Sequence, residues 1–129
     1  MDGLAKKKIL VVDDEKGYRD LYVFFLEPLG IEVTCVMDGL QAVQKVEQGP
    51  YDLILMDVHM PVMSGPEAFK RIRKIRPEQK VVIFSSSSDP TFTKEQEAVR
   101  EGAVNCLYKP VTLDEIQKVL SETLGLQTS

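Results

Sequence analysis

Four short clusters in this 129-residue chain hold residues that could do chemistry: Asp13-Asp14-Glu15, Asp57, the serine run Ser85 to Ser88, and Lys109. Each follows directly on an apolar run. Carboxylates brought together need compensation, because two unit charges about 4 Å apart repel by about 4 kcal/mol at an effective dielectric near 20. Three would force at least one to keep its proton at neutral pH unless a cation neutralises them. Hard oxygen donors, with no imidazole or thiolate among them, suit Mg²⁺, which binds through one or two carboxylates and leaves positions for water or phosphate oxygens. Lys109 and a serine hydroxyl would hold the remaining oxygens of a phosphoryl group. Nothing in the set is a good general base. It is suited to positioning and neutralising, as phosphoryl transfer requires, with Asp57 as the nucleophile that forms an acyl phosphate.

Such a site exists only if the fold brings the clusters together. Lys8 to Val12 (KILVV), Ile31 to Val36, Leu53 to Met56, Val81 to Phe84 and Val104 to Leu107 are short apolar runs rich in branched residues, and they are expected to be strands. Helical spacing separates them. Tyr18, Leu21, Tyr22, Phe25, Leu26 and Leu29 form one face, closed by Gly30; Leu40, Val43 and Val46 form a second, ending near Gly49-Pro50. The third helix opens at Ser64-Gly65-Pro66-Glu67, a capping box with proline in the first turn, and buries Ala68, Phe69, Ile72 and Ile75. A weak helix is expected around Lys94 to Arg100. The last opens at the capping box Thr112-Leu113-Asp114-Glu115 and buries Leu113, Ile116, Val119, Leu120 and Leu124.

Five strands alternating with five helices predict an α/β fold: a doubly wound parallel sheet covered on both faces. All strand C-termini then share one edge, where ligands bind. Asp13-Asp14, Asp57, the serines and Lys109 all fall on that edge. Singly, an acidic pair after a strand caps a helix or faces solvent, and a lone aspartate or lysine carries little meaning. Their coincidence on one edge is what points to a site. His59, the only histidine, reads as a solvent-facing loop residue, and Met56, Met60 and Met63 read as packing.

Composition sets the frame. The length fits one domain over residues 1–129, with a core of about 8–124, large enough to fold without metal or disulfide staples. A net charge of −4 argues against direct nucleic-acid binding, and Lys6-Lys7-Lys8 reads as a solubilising flank. Cys35 and Cys106 sit in separate strand-like runs, so two buried, unpaired thiols in a reducing compartment are expected. No apolar run reaches membrane-spanning length and no signal peptide is apparent, so a cytoplasmic protein without membrane contact is expected.

The stretches "ILVVDDE", "LILMDVHMPVMSG" and "LYKP" resemble the receiver domains of two-component response regulators, over about Lys8 to Leu124. The pattern D-x-x-M-P-x-M-x-G, from Asp57 to Gly65, is specific when it accompanies an upstream Asp-Asp and a downstream Lys-Pro. The resemblance implies a flavodoxin-like, CheY-like sheet in the order 2-1-3-4-5. It implies Asp57 as phosphoacceptor, with Mg²⁺ held by Asp14, Asp57 and the backbone carbonyl of His59, and by Asp13 mainly through water. Lys109 would pair with the phosphoryl oxygens, with Lys109-Pro110 as a cis peptide. A fourth-strand hydroxyl would bind the phosphoryl group. Strand register selects Ser85, whereas the family's usual spacing from Lys109 would reach Ser87; Ser86 is a weaker candidate. Cys106 stands where the family mostly has an aromatic residue that couples phosphorylation to output, so any switch here would rest more on the Ser85 loop and the helix around 94–100.

The implied partners are a sensor histidine kinase or histidine phosphotransfer protein as donor and an output protein or domain as target; a phosphorylation-dependent homodimer is also open. The chain would catalyse its own phosphorylation and dephosphorylation without turning over an external substrate. The chain has no helix-turn-helix pattern or second domain, which leaves open a stand-alone regulator or one separated from its output domain. Two other readings compete. A phosphorylation-independent interaction module does not account for the acidic and lysine positions. A Mg²⁺-dependent phosphatase would usually carry D-x-D, whereas His59 stands two residues after Asp57.

Overall fold

The computed structural model describes residues 6–86 and 102–125. Five parallel strands form one sheet in the order β2-β1-β3-β4-β5: β1 (Lys8–Val12), β2 (Glu32–Val36), β3 (Leu53–Asp57), β4 (Val81–Ser86) and β5 (Asn105–Lys109). Between and after them run α1 (Lys16–Leu26), α2 (Gly39–Gln48), α3 (Gly65–Ile75) and α4 (Leu113–Leu124). The helix expected around Lys94 to Arg100, the loop from Ser87 to Thr93 and the tail from Gln127 lie outside the described residues.

The period-2 alternation of the strands sorts the core into two layers. Leu10 and Val12, Ile54 and Met56, and Val81 and Ile83 pack with Val43 and Val46 of α2 and Phe69 and Ile72 of α3. Ile9 and Val11, Leu53 and Leu55, and Val82 and Phe84 pack with Tyr22 and Leu26 of α1 and Ile116 and Leu120 of α4. The three central strands are therefore apolar at nearly every position, because both of their faces are covered.

Several element ends differ from the sequence reading. Pro28 ends α1 at Leu26, and a 3₁₀ turn, Glu27–Leu29, leaves Leu29 exposed. Leu40, Ile75, Val104 and Leu113 are also exposed rather than buried; each lies at or beside the end of an element, where the covered face has run out. β3 extends to include Asp57, β4 to Ser86 and β5 to Lys109. Cys35 is exposed and Cys106 half-buried, not two buried thiols. β2 and β5 are the edge strands, so their faces are covered only in part. The capping box at Thr112 forms in both directions, and the Ser64 hydroxyl accepts from the Glu67 N–H.

Candidate functional site

Strand parity delivers the site. Asp13 continues the row of Ile9 and Val11, Asp57 that of Leu53 and Leu55, and Lys109 that of Leu107, all on the α1/α4 side of the sheet. β1 pairs with β3 so that Val11 faces Leu55 and Val12 faces Met56. Two residues on, the next positions of the same row are Asp13 and Asp57. The two carboxylates are neighbours because an apolar strand pair holds them there.

Carboxylate oxygens of Asp13, Asp14 and Asp57 lie within 4.8 Å of one another. Asp13 and Asp57 are buried, at 1% and 6% exposure, while Asp14 is exposed. Lys109 enters this cluster from β5. Its Nζ lies 2.9 Å from Asp13 Oδ2, 3.4 Å from Asp57 Oδ1 and 3.7 Å from Glu15 Oε1. Asp13 is held further, since its Oδ1 accepts from the Glu15 N–H at 3.0 Å and its carbonyl accepts from the Arg19 guanidinium at 2.9 Å.

One ammonium does not balance three carboxylates. Burial pushes the Asp57 carboxyl up to about 6; the charge and hydrogen bond of Lys109 pull it down, and the charges of Asp13 and Asp14 push it up again. For Lys109, burial disfavours the charged form, but the hydrogen bond to Asp13 and the charges of Asp57 and Asp13 outweigh it, and the pKa rises. Buried Tyr22, stacked in a tilted pair on Phe84, has its phenol raised well above the ordinary value by desolvation, then by Asp13 and Asp57. The surplus negative charge, all on oxygen, suits a hard divalent cation such as Mg²⁺.

The loop after Asp57 is fixed at several points. Val58 N–H donates to the Phe84 carbonyl, Gly65 N–H to the Val58 carbonyl and Gly39 N–H to the Met63 carbonyl. A Cβ on Gly65 would collide with the Asp57 carbonyl oxygen, so α3 starts against the very residue it follows. Met63 N–H donates at 2.7 Å to the carbonyl of Pro61, and Val62 between them has φ +69°. That is a γ-turn of the rare, strained hand, occupied by a β-branched residue.

Every described candidate is thus located. Asp13, Asp14, Asp57 and Lys109 come together. His59 has an exposed side chain in the same loop and lines a shallow depression with Asp14, Met60, Pro61 and Ser64. Ser85 is fully buried in β4, one residue beyond Phe84, the register partner of Asp57. Ser87 lies outside the described residues. Lys109-Pro110 is cis. Asp38, past β2, caps α2 by accepting from the Gln41 N–H. The residue that sequence reasoning missed is Tyr18: its helical spacing marks it as core, but its ring centroid is 3.9 Å from Lys109 Nζ.

The response regulator receiver domain family matches residues 9–121. This chain belongs to that family. It is 36% identical over 117 residues to the transcriptional regulatory protein ZraR of Klebsiella oxytoca, covering 91% of this chain and 26% of that protein. It is 34% identical over 121 residues to the autoinducer 1 sensor kinase/phosphatase LuxN of Vibrio harveyi, covering 94% of this chain and 14% of that protein. The chain therefore spans about a quarter and about a seventh of these two relatives. Among solved structures, the receiver domain of the sensor histidine kinase PA1611 from Pseudomonas aeruginosa, which has magnesium in its active-site cleft, matches with TM-score 0.83 and 30% identity, covering 95% of this chain and all of that one. A CheY-like receiver domain from Methanospirillum hungatei matches with TM-score 0.86 and 26% identity, covering 94% and 95%. The chain is a receiver domain of two-component systems, a signalling domain in a phosphorelay.

Proposed function

We propose that this receiver domain takes a phosphoryl group onto Asp57 from a phosphohistidine of a sensor histidine kinase or histidine phosphotransfer protein, and signals by changing its contacts with an output protein or domain. The observation that carries this reading is the shared ammonium: Lys109 Nζ lies 2.9 Å from Asp13 and 3.4 Å from Asp57, beside an Asp14 oxygen in the same cluster.

A carboxylate oxygen of Asp57 attacks phosphorus. The P–O bond forms as the P–N bond to the donor imidazole breaks, and the bond's electron pair returns to the histidine nitrogen. Lys109 then pairs with phosphoryl oxygens in place of the Asp57 carboxylate, and Ser85 offers its hydroxyl to another. Attack of water on phosphorus returns Asp57 to a free carboxylate and releases phosphate. Asp14, Asp57 and the His59 carbonyl would hold Mg²⁺, with Asp13 acting mainly through water; the cation would supply neutralisation of the carboxylates and of the phosphoryl oxygens. The domain acts in the cytoplasm, in a single unit over residues 1–129.

The test is an intact mass after incubation with Mg²⁺ and acetyl phosphate, for wild type and Asp57→Ala. One phosphoryl group gained by wild type alone is expected. No gain by folded, Mg²⁺-supplied wild type, or turnover of a generic phosphoester, would overturn the reading in favour of an interaction module or a phosphatase.

A further inference from the structure

We infer that Tyr18 is a positioning residue for phosphoryl binding, acting through a cation–π contact that holds the Lys109 ammonium over the site. This rests on the phosphoacceptor reading above. Lys109 reaches the site on a flexible four-carbon stem, and an ammonium is a point charge with no built-in direction. Its carboxylate neighbours fix it only until Asp57 is phosphorylated or Mg²⁺ takes up their charge. The ring of Tyr18 does not change in either event. Its centroid lies 3.9 Å from Nζ, well within the distance at which a ring face attracts a cation.

Two features make the ring a fixed wall. Tyr18 lies on the first turn of α1 and is half-buried, packed against the apolar layer that contains Tyr22, Phe84 and Val111. Val111 is two residues beyond Lys109, so one cluster anchors both the ring and the chain that carries the lysine. The Lys109 side chain is only 10% exposed, and partial removal from water strengthens a cation–π contact relative to one in open water. The contact survives the step in which the ammonium moves from carboxylate to phosphoryl oxygen, so the lysine enters that step already oriented. Its rotamer freedom is lost on folding rather than on phosphoryl binding.

Tyr18→Leu keeps apolar bulk and removes the ring face; Tyr18→Phe keeps the face and removes the hydroxyl. Beryllofluoride binding in the presence of Mg²⁺ is measured for both, with Mg²⁺ binding alone and thermal unfolding measured beside it. Tyr18→Leu is expected to lose about tenfold in beryllofluoride affinity with no loss of Mg²⁺ affinity, and Tyr18→Phe to match wild type. In metal-free wild type and Tyr18→Phe, the Lys109 ε-methylene protons are expected to be ring-shifted upfield, and in Tyr18→Leu they are not. Tyr18→Leu binding beryllofluoride as wild type does, or losing both ligands together, or an absent ring shift, would overturn the inference. Wild type that binds no beryllofluoride and gains no phosphoryl group from acetyl phosphate marks failure of the phosphoacceptor reading itself. The inference then falls with it, even where the ring shift is present.

Discussion

Lys109 Nζ and Asp13 Oδ2 are 2.9 Å apart, and the Asp13 side chain is almost wholly buried. The pair lies inside a cluster whose other acids outnumber it, so Lys109 neutralises charge that would otherwise be stranded. Breaking a buried pair by removing one partner leaves an uncompensated charge and costs about 3–5 kcal/mol. Lys109→Met is therefore expected to lower the stability of the metal-free domain by about 3 kcal/mol. Mg²⁺ supplies the missing charge, so chemical denaturation with and without the ion should show a larger gain from Mg²⁺ in Lys109→Met than in wild type.

Asp57 makes metal-free stability depend on pH. The folded carboxyl holds its proton up to about pH 6, whereas the unfolded one releases it near its ordinary value of 3.8. Between those values the folded state binds more protons, so stability falls as pH rises. The contribution is full below about pH 4 and is gone above about pH 6, a change of about 3 kcal/mol at about 1.4 kcal/mol for each pH unit. Asp57→Asn removes this titration. In chelator, the stability of Asp57→Asn relative to wild type should rise by about 2–3 kcal/mol from pH 4 to pH 7.5. A constant difference would show that Asp57 is not desolvated as described.

Val62 holds a left-handed backbone and is 75% exposed. Nothing buried is lost if the side chain is removed, and glycine has no penalty at that φ. Left-handed strain in a β-branched residue is about 2 kcal/mol, and the extra freedom of glycine in the unfolded chain returns about 1 kcal/mol. Val62→Gly should therefore stabilise the domain by about 1 kcal/mol, read as a shift of the denaturation midpoint at unchanged slope.

Gly65 is a matter of space, not of φ. Its backbone meets the Asp57 carbonyl where a side chain would stand. Gly65→Ala should cost about 2 kcal/mol or more through forced displacement of the loop. It should also weaken Mg²⁺ binding, because the atoms that move belong to Asp57 and Val58. Titration calorimetry that finds Mg²⁺ bound as tightly as in wild type would contradict this.

The sheet and the acidic edge were legible because both follow from strand periodicity. Leu53-Ile54-Leu55-Met56 reads as a strand covered on both faces, and Asp13 and Asp57 extend rows that the apolar residues already define. Tyr18 was not legible, because the same helical spacing serves a core residue and a ring that also covers Lys109; only the approach of the Lys109 ammonium to the Tyr18 ring separates the two roles. The exposure of Cys35 was hidden by strand order, since an edge strand looks central in isolation. Val62 was hidden for the opposite reason: a β-branched residue is the last type that sequence would place at positive φ.

The phosphoryl group is expected on Asp57 and on no other oxygen of the cluster. Borohydride reduces an aspartyl phosphate to homoserine and leaves a free carboxylate unchanged. After Mg²⁺ and acetyl phosphate treatment followed by borohydride, peptide sequencing by mass spectrometry should find homoserine in place of Asp57 and unchanged residues at Asp13 and Asp14. Homoserine in place of Asp13 or Asp14, or phosphate retained on Ser85, would contradict the account.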